Sequence, residues 1–155
     1  MEKKLIEQIV TNNPEETIQL AEKIGWRVRG GEVIQLISDL GGGKTTFVRG
    51  LAKGMGSDEL VHSPSFTLSN TYKAKGLWLY HFDFYRLEEP GILRNELDEL
   101  IGDTKVVIVI EWANIVADVL PKDILNVTIQ TIGDTVRNVR LCYPKSREYL
   151  IDTIT

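Results

Sequence analysis

Thiol pairs, long apolar runs and bulk basic charge are all missing from this chain. Its 155 residues include a single cysteine, Cys142, so neither an internal disulfide nor a cysteine-based metal cluster can form. The longest strongly apolar run is Val106 to Ile110, far short of a membrane span. At the N-terminus Glu7 interrupts the apolar residues before the core of a signal peptide could form. With 18 basic against 22 acidic residues the net charge is −4, which argues against gripping nucleic acid by bulk electrostatics, though it leaves room for a local basic patch. His62 and His81, the only histidines, have no partner spacing for zinc and read as structural or solvent-facing. A soluble, cytoplasmic protein is the expectation.

What is present suffices for a folded core. Hydrophobic residues make up 43% of the chain, too many for intrinsic disorder. The length predicts one domain spanning 1–155. No repeat, low-complexity tract or long linker breaks it.

The order of elements predicts an α/β architecture. Residues 4–10 read as a short strand. Asn13-Pro14-Glu15-Glu16 reads as a helix start, with Asn13 as cap, Pro14 at the first helical position and Glu16 completing a capping-box-like pattern. Gly25 is the expected stop and Gly30-Gly31 a turn. Val33 to Ile37 is a buried-strand candidate by its β-branched content. A helix is expected from about Thr45 to Lys53. Residues 58–76 read as a loop followed by an extended hairpin arm. Leu77 to Phe82 is a strand, 91–100 a helix and Val106 to Ile110 a second core strand. Residues 124–130 and 135–142 read as two strands joined through Gly133-Asp134. Strands alternating with helices, then a β-rich end, predict a sandwich with a mixed sheet.

The sharpest signal is Ser38-Asp39-Leu40-Gly41-Gly42-Gly43-Lys44-Thr45-Thr46. It follows a predicted strand and opens a predicted helix, the context a phosphate-binding P-loop requires. Successive backbone N–H groups of a glycine-rich turn bind phosphate oxygens, and the helix dipole adds positive potential at the same place. Lys44 reaches the β- and γ-phosphates of ATP, and the Thr45 hydroxyl suits Mg²⁺. Together these predict a P-loop NTPase-like sandwich with a mixed, largely parallel central sheet flanked by helices. One position departs from the motif: Ser38 stands where the first glycine belongs. A serine there costs about 1 kcal/mol if the backbone needs positive φ.

An ATPase also needs an acid at a strand end to hold Mg²⁺ or its water, and a group to position the attacking water. Asp83 follows Leu79 to Phe82, and Glu111 follows the wholly apolar Val106 to Ile110. Ligands collect at the carboxyl ends of strands in α/β sheets. His62 to Thr67, about twenty residues past the P-loop, sits where a γ-phosphate-sensing switch loop would lie. Trp112 adjoins Glu111 but reads first as a packing residue. Arg137 and Arg140 alternate on a late strand, where solvated edge charge is the plain reading.

The order of these motifs, with Ser63-Pro64-Ser65-Phe66-Thr67, Tyr72, His81-Phe82-Asp83-Phe84-Tyr85-Arg86-Leu87 and Glu111-Trp112, resembles the TsaE family across about residues 13 to 142. That family is the ATPase component of bacterial tRNA threonylcarbamoyladenosine biosynthesis. The resemblance implies an ATP- and Mg²⁺-dependent protein that supports turnover of the TsaD–TsaB complex. That complex modifies the adenosine beside the anticodon, and any tRNA contact would be made through it or shared with it. Carried over by residue, Gly41, Gly42, Gly43, Lys44, Thr45 and Thr46 would bind the nucleotide, with Arg137 near it. Thr45 and Glu111 would ligate Mg²⁺, Asp83 would orient water or a water on the magnesium, and Ser63, Ser65 and Thr67 would form the switch loop. Gly42 in place of the family's alanine should be harmless, and Ser65 in place of its threonine keeps a hydroxyl but loses a methyl. Two other readings stand beside this one: a small-molecule P-loop kinase, for which Arg86 and Arg94 are candidate lid arginines, and a scaffold that binds nucleotide without hydrolysing it.

Overall fold

A computed structural model describes residues 3–39, 41, 43–64, 69–85, 91–152 and 154. The predicted site residues Gly42, Ser65 and Thr67, and Arg86 of the kinase reading, lie outside the described residues. In chain order the elements are β1 (Lys4–Thr11), α1 (Pro14–Gly25), β2 (Val33–Ser38), α2 (Lys44–Gly54), β3 (Ser69–Lys73), β4 (Trp78–Asp83), α3 (Gly91–Leu100), β5 (Val106–Glu111), β6 (Leu125–Thr131) and β7 (Arg137–Pro144). Short 3₁₀ stretches cover Ala113–Val119 and Lys145–Leu150. No helix among the described residues is long and apolar enough to cross a membrane.

Helix α1 starts as its sequence predicts, since the Asn13 side chain accepts from the Glu16 N–H at 2.9 Å. The reciprocal contact is displaced by one residue: Glu16 accepts from the backbone N–H of Asn12, at 2.8 Å, rather than from that of Asn13. Its register against α2 depends on missing side chains. A Cβ at Gly50 would stand 2.3 Å from the Ile18 carbonyl oxygen, and one at Gly54 would stand 2.1 Å from that of Glu22. The helices therefore meet backbone to backbone, which holds the start of α2 in place.

The seven strands form one sheet in the order β1-β7-β6-β2-β5-β4-β3. Its centre, β6-β2-β5-β4, is parallel, and the remaining pairs are antiparallel. The sheet is mixed, as the alternation of elements predicts, with β-rich additions at both margins. Every residue of β5 is buried, as expected for a parallel strand covered on both faces. On one face Ile34, Leu36, Val107, Val109 and Leu79 pack under α1 and α2 with Leu20, Phe47 and Leu51. On the other, Val33, Ile108, Ile110 and Phe82 pack with Leu97 of α3 and with Ala113 and Val116.

The parallel arrangement brings the carboxyl ends of β2, β4, β5 and β6 to one edge. Asp83 pairs with Glu111, Leu36 with Glu111 and Ser38 with Ile129. Because β1 runs antiparallel to β7, with Thr11 opposite Arg137, the β1–α1 connection and the β6–β7 hairpin reach that edge too.

Candidate functional site

At this edge the chain leaves β2 and turns into α2. Gly41 has φ 77° and Gly43 φ 105°, both in the left-handed region. Gly43 is the N-cap of α2 and makes no side-chain cap hydrogen bond. Any other residue at Gly43 would be strained by about 1–2 kcal/mol. The first N–H groups of the helix thus keep their donors for an outside acceptor. Ser38 does not carry the expected penalty. It ends β2, and the only non-glycine residue with positive φ among the described residues is Trp112. The glycine position of the motif is still extended strand here, so serine fits.

Lys44 opens α2 and is 9% exposed. Its Nζ lies 3.4 Å from the Ser38 carbonyl oxygen, 3.5 Å from Glu111 Oε1 and 5.4 Å from the Trp112 ring centroid. Glu111 is 4% exposed, and its second oxygen, Oε2, lies 2.5 Å from Nε2 of the fully buried His81. Asp83, opposite Glu111 in the sheet, accepts from the Tyr85 N–H at 2.9 Å. Burial is the main cause raising its pKa above the usual 3.8, and the neighbouring Glu111 charge adds to it; the Tyr85 hydrogen bond, His81 and Lys44 pull the other way.

Thr45 follows Lys44 in the first turn of α2 and is half-buried. Thr46 and Gly43 line a pocket beside the loop with Pro14, Thr17, Asp134, Thr135 and Arg137. The Arg137 Nη1 donates to the carbonyls of Gly133, at 3.0 Å, and Val136, at 3.1 Å. Thr135 Oγ1 donates to the Asn12 carbonyl at 2.7 Å, tying the hairpin tip to the start of α1. Arg137 thus lies beside the loop and does more than carry edge charge. Ser63 is exposed, and the chain just before it is pinned where the Tyr72 hydroxyl donates to the His62 carbonyl at 3.1 Å. Arg94, the other candidate for a kinase lid, pairs instead with Asp118 at 2.5 Å.

Sequence reasoning missed two participants. His81 read as structural or solvent-facing, yet it touches Glu111. The signal was available: His81 lies two residues before Asp83 on one strand, so both side chains share a face. Trp112 read as packing; it is 41% exposed, and its ring centroid stands 4.8 Å from that of Tyr85. Its φ of 58° carries a left-handed cost of about 1–2 kcal/mol. No sequence signal marks that conformation.

The arrangement suits a magnesium nucleotide. Uncapped helix donors and a buried lysine are groups that bind anionic oxygens, and Glu111 and Thr45 carry oxygens of the kind a hard cation takes. Among the described residues no group of three or more His, Cys, Asp or Glu side chains forms a metal cage. Mg²⁺ at nucleotide sites takes one or two protein oxygens and completes its shell with phosphate and water.

Comparisons with known proteins point to one family. The family model described as "Threonylcarbamoyl adenosine biosynthesis protein TsaE" matches residues 11–139. The Bacillus subtilis tRNA threonylcarbamoyladenosine biosynthesis protein TsaE is 40% identical over 129 residues, covering 83% of this chain and 80% of the relative. The protein of the same name from Aquifex aeolicus is 35% identical over 139 residues, covering 88% and 96%. The crystal structure of Bacillus subtilis YdiB superposes with a TM-score of 0.78 at 33% identity, covering 99% of this chain and 95% of the other.

Proposed function

Because the chain belongs to the TsaE family of tRNA threonylcarbamoyladenosine biosynthesis proteins, we propose that it is a cytoplasmic, Mg²⁺-dependent ATPase acting with the TsaD–TsaB complex. In this reading residues 1–155 form one ATPase unit. It supports turnover of that complex and does not itself transfer the threonylcarbamoyl group, and tRNA is met through the complex or shared with it. The observation that carries the reading is Lys44, held between the Ser38 carbonyl and Glu111 at the uncapped start of α2.

Each residue has a part. The N–H groups at the start of α2 donate to the phosphate oxygens, and Lys44 moves its charge from Glu111 to the β- and γ-oxygens. Thr45 and Glu111 would hold Mg²⁺, which would supply positive charge beside those oxygens. Asp83, made more basic by burial, orients the attacking water and receives its proton. Arg137, which lines a pocket with Gly43 and Thr46, would stand beside the nucleotide. Ser63, Ser65 and Thr67 respond to the γ-phosphate. Turnover by the chain alone is slow, and groups added by a partner at such sites are worth about 10³ to 10⁵ in rate.

The test is phosphate release from Mg·ATP by purified protein, with and without TsaD–TsaB. Release that rises with the partners is expected. Transfer of phosphate to a small acceptor would make the protein a kinase, and tight binding without release would make it a scaffold. Arg94, a candidate lid arginine in the kinase reading, pairs with Asp118 in this structure.

A further inference from the structure

His81 is the one fully buried histidine, and nothing in the catalytic scheme above uses it. Its Nε2 stands 2.5 Å from Glu111 Oε2, while its Nδ1 is buried and has no hydrogen-bond partner among the described residues. Around this ring, β4 contributes Asp83, β5 contributes Glu111 and α2 contributes Lys44, whose Nζ is 3.5 Å from the other Glu111 oxygen. The two oxygens of Glu111 therefore face different partners: one points inward to an imidazole, and the other points to the edge where Lys44 stands.

We propose that His81 is a positioning residue that fixes Glu111 for the cation. The imidazole Nε2–H donates to Oε2. This pins the carboxylate rotamer and leaves Oε1 aimed at the nucleotide edge. The proposal rests on the Mg·ATP reading above and adds a residue to it. A carboxylate accepts, so the nitrogen facing it must be the donor. Nδ1 has no partner among the described residues, so Nε2 is the ring nitrogen that faces an acceptor. Fixing a ligand through a buried hydrogen bond behind it is a general device of metal sites, and removing such a partner typically lowers metal affinity about 10- to 100-fold. When Lys44 swings to phosphate, Glu111 loses one of its two partners, and His81 is what keeps it from turning away.

The experiment compares the native protein with His81→Leu and His81→Gln. Leucine fills the buried space without a donor, whereas the glutamine amide places a donor near the native Nε2. Nucleotide affinity is measured with a fluorescent ATP analogue, first without Mg²⁺ and then across a Mg²⁺ titration, with melting curves for all three proteins. In His81→Leu the half-saturating Mg²⁺ concentration should rise about tenfold while Mg²⁺-free affinity stays at the native value. His81→Gln should recover most of the loss. Native Mg²⁺ dependence in His81→Leu, or a glutamine variant as weak as the leucine one, overturns the positioning role and leaves the ATPase reading standing. A native protein whose nucleotide binding ignores Mg²⁺ overturns both. Should His81→Leu fail to fold, long-range ¹H–¹⁵N NMR on the native protein decides: an imidazole with a proton on Nε2 supports the proposal, and one without it refutes it.

Discussion

Two glutamates are buried at opposite ends of the sheet, and their surroundings differ. Glu32, 1% exposed, lies just before β2. It accepts from the backbone N–H of Arg29 at 2.7 Å, from that of Gly30 at 2.8 Å and from the Tyr149 hydroxyl at 2.6 Å. Arg29 covers the Tyr149 ring at 3.9 Å, and Arg147 donates to the Tyr149 hydroxyl and to Asp123. The Tyr149 phenol is pushed up to about 12, first by burial and then by its hydrogen bond to Glu32. Glu111, 4% exposed, has one close hydrogen-bond contact, to His81, and a longer ion pair with Lys44. One carboxylate is closed off by donors from its own turn and the C-terminal segment. The other is held on one side and left ready on the other. Burial of a charge alone therefore does not single out a site; the proposed site is distinguished by an incomplete shell beside an uncapped helix start.

That contrast can be broken or sharpened by substitution. The largest effect is expected at Lys44. Lys44→Ala should abolish ATP hydrolysis and, in cells, the threonylcarbamoyl modification of tRNA, with the fold intact; normal modified nucleoside in such a strain would detach function from the loop. Asp83→Asn should lower turnover by about 100-fold yet raise the melting temperature at neutral pH. The sign follows from its raised pKa: the folded state favours the protonated form, so stability present below pH 3.8 is lost as Asp83 ionises. The asparagine variant avoids that loss, and its advantage should close as pH falls toward 3.8, which melting curves across pH would follow.

At the other end the order of effects reverses. Glu32→Gln should cost about 1–3 kcal/mol of stability, since it turns one acceptor into a donor facing donors, and should leave Mg·ATP affinity unchanged. Denaturant unfolding and nucleotide titration together check this; a matching loss of affinity would mean the two ends are coupled. Tyr149→Phe is the mildest change, at about 1 kcal/mol, because Glu32 keeps both backbone donors.

These two ends were not equally legible in the sequence. Glu111 could be found because an unbroken apolar strand delivers it to a sheet edge already marked by the P-loop. The same local logic located α1 from Asn13-Pro14, β2 from its β-branched run and the β6–β7 hairpin from Gly133-Asp134. Glu32 carried no signal: its partner Tyr149 lies 117 residues away, and two of its three bonds are to backbone. His81 was hidden for a related reason, since its role appears only when β4 and β5 come into register. The 3₁₀ stretches after β5 and β7 have no periodicity to read, and the left-handed Trp112 is a decision of the backbone where β5 turns away from the sheet.

The central claim is that a cation completes the unfinished shell of Glu111. The most direct test is nucleotide affinity of Glu111→Ala measured with and without Mg²⁺. The account predicts a loss of about 10- to 100-fold with Mg²⁺ present and near-native affinity without it. Equal losses in both conditions would remove Glu111 from the metal shell and contradict the account.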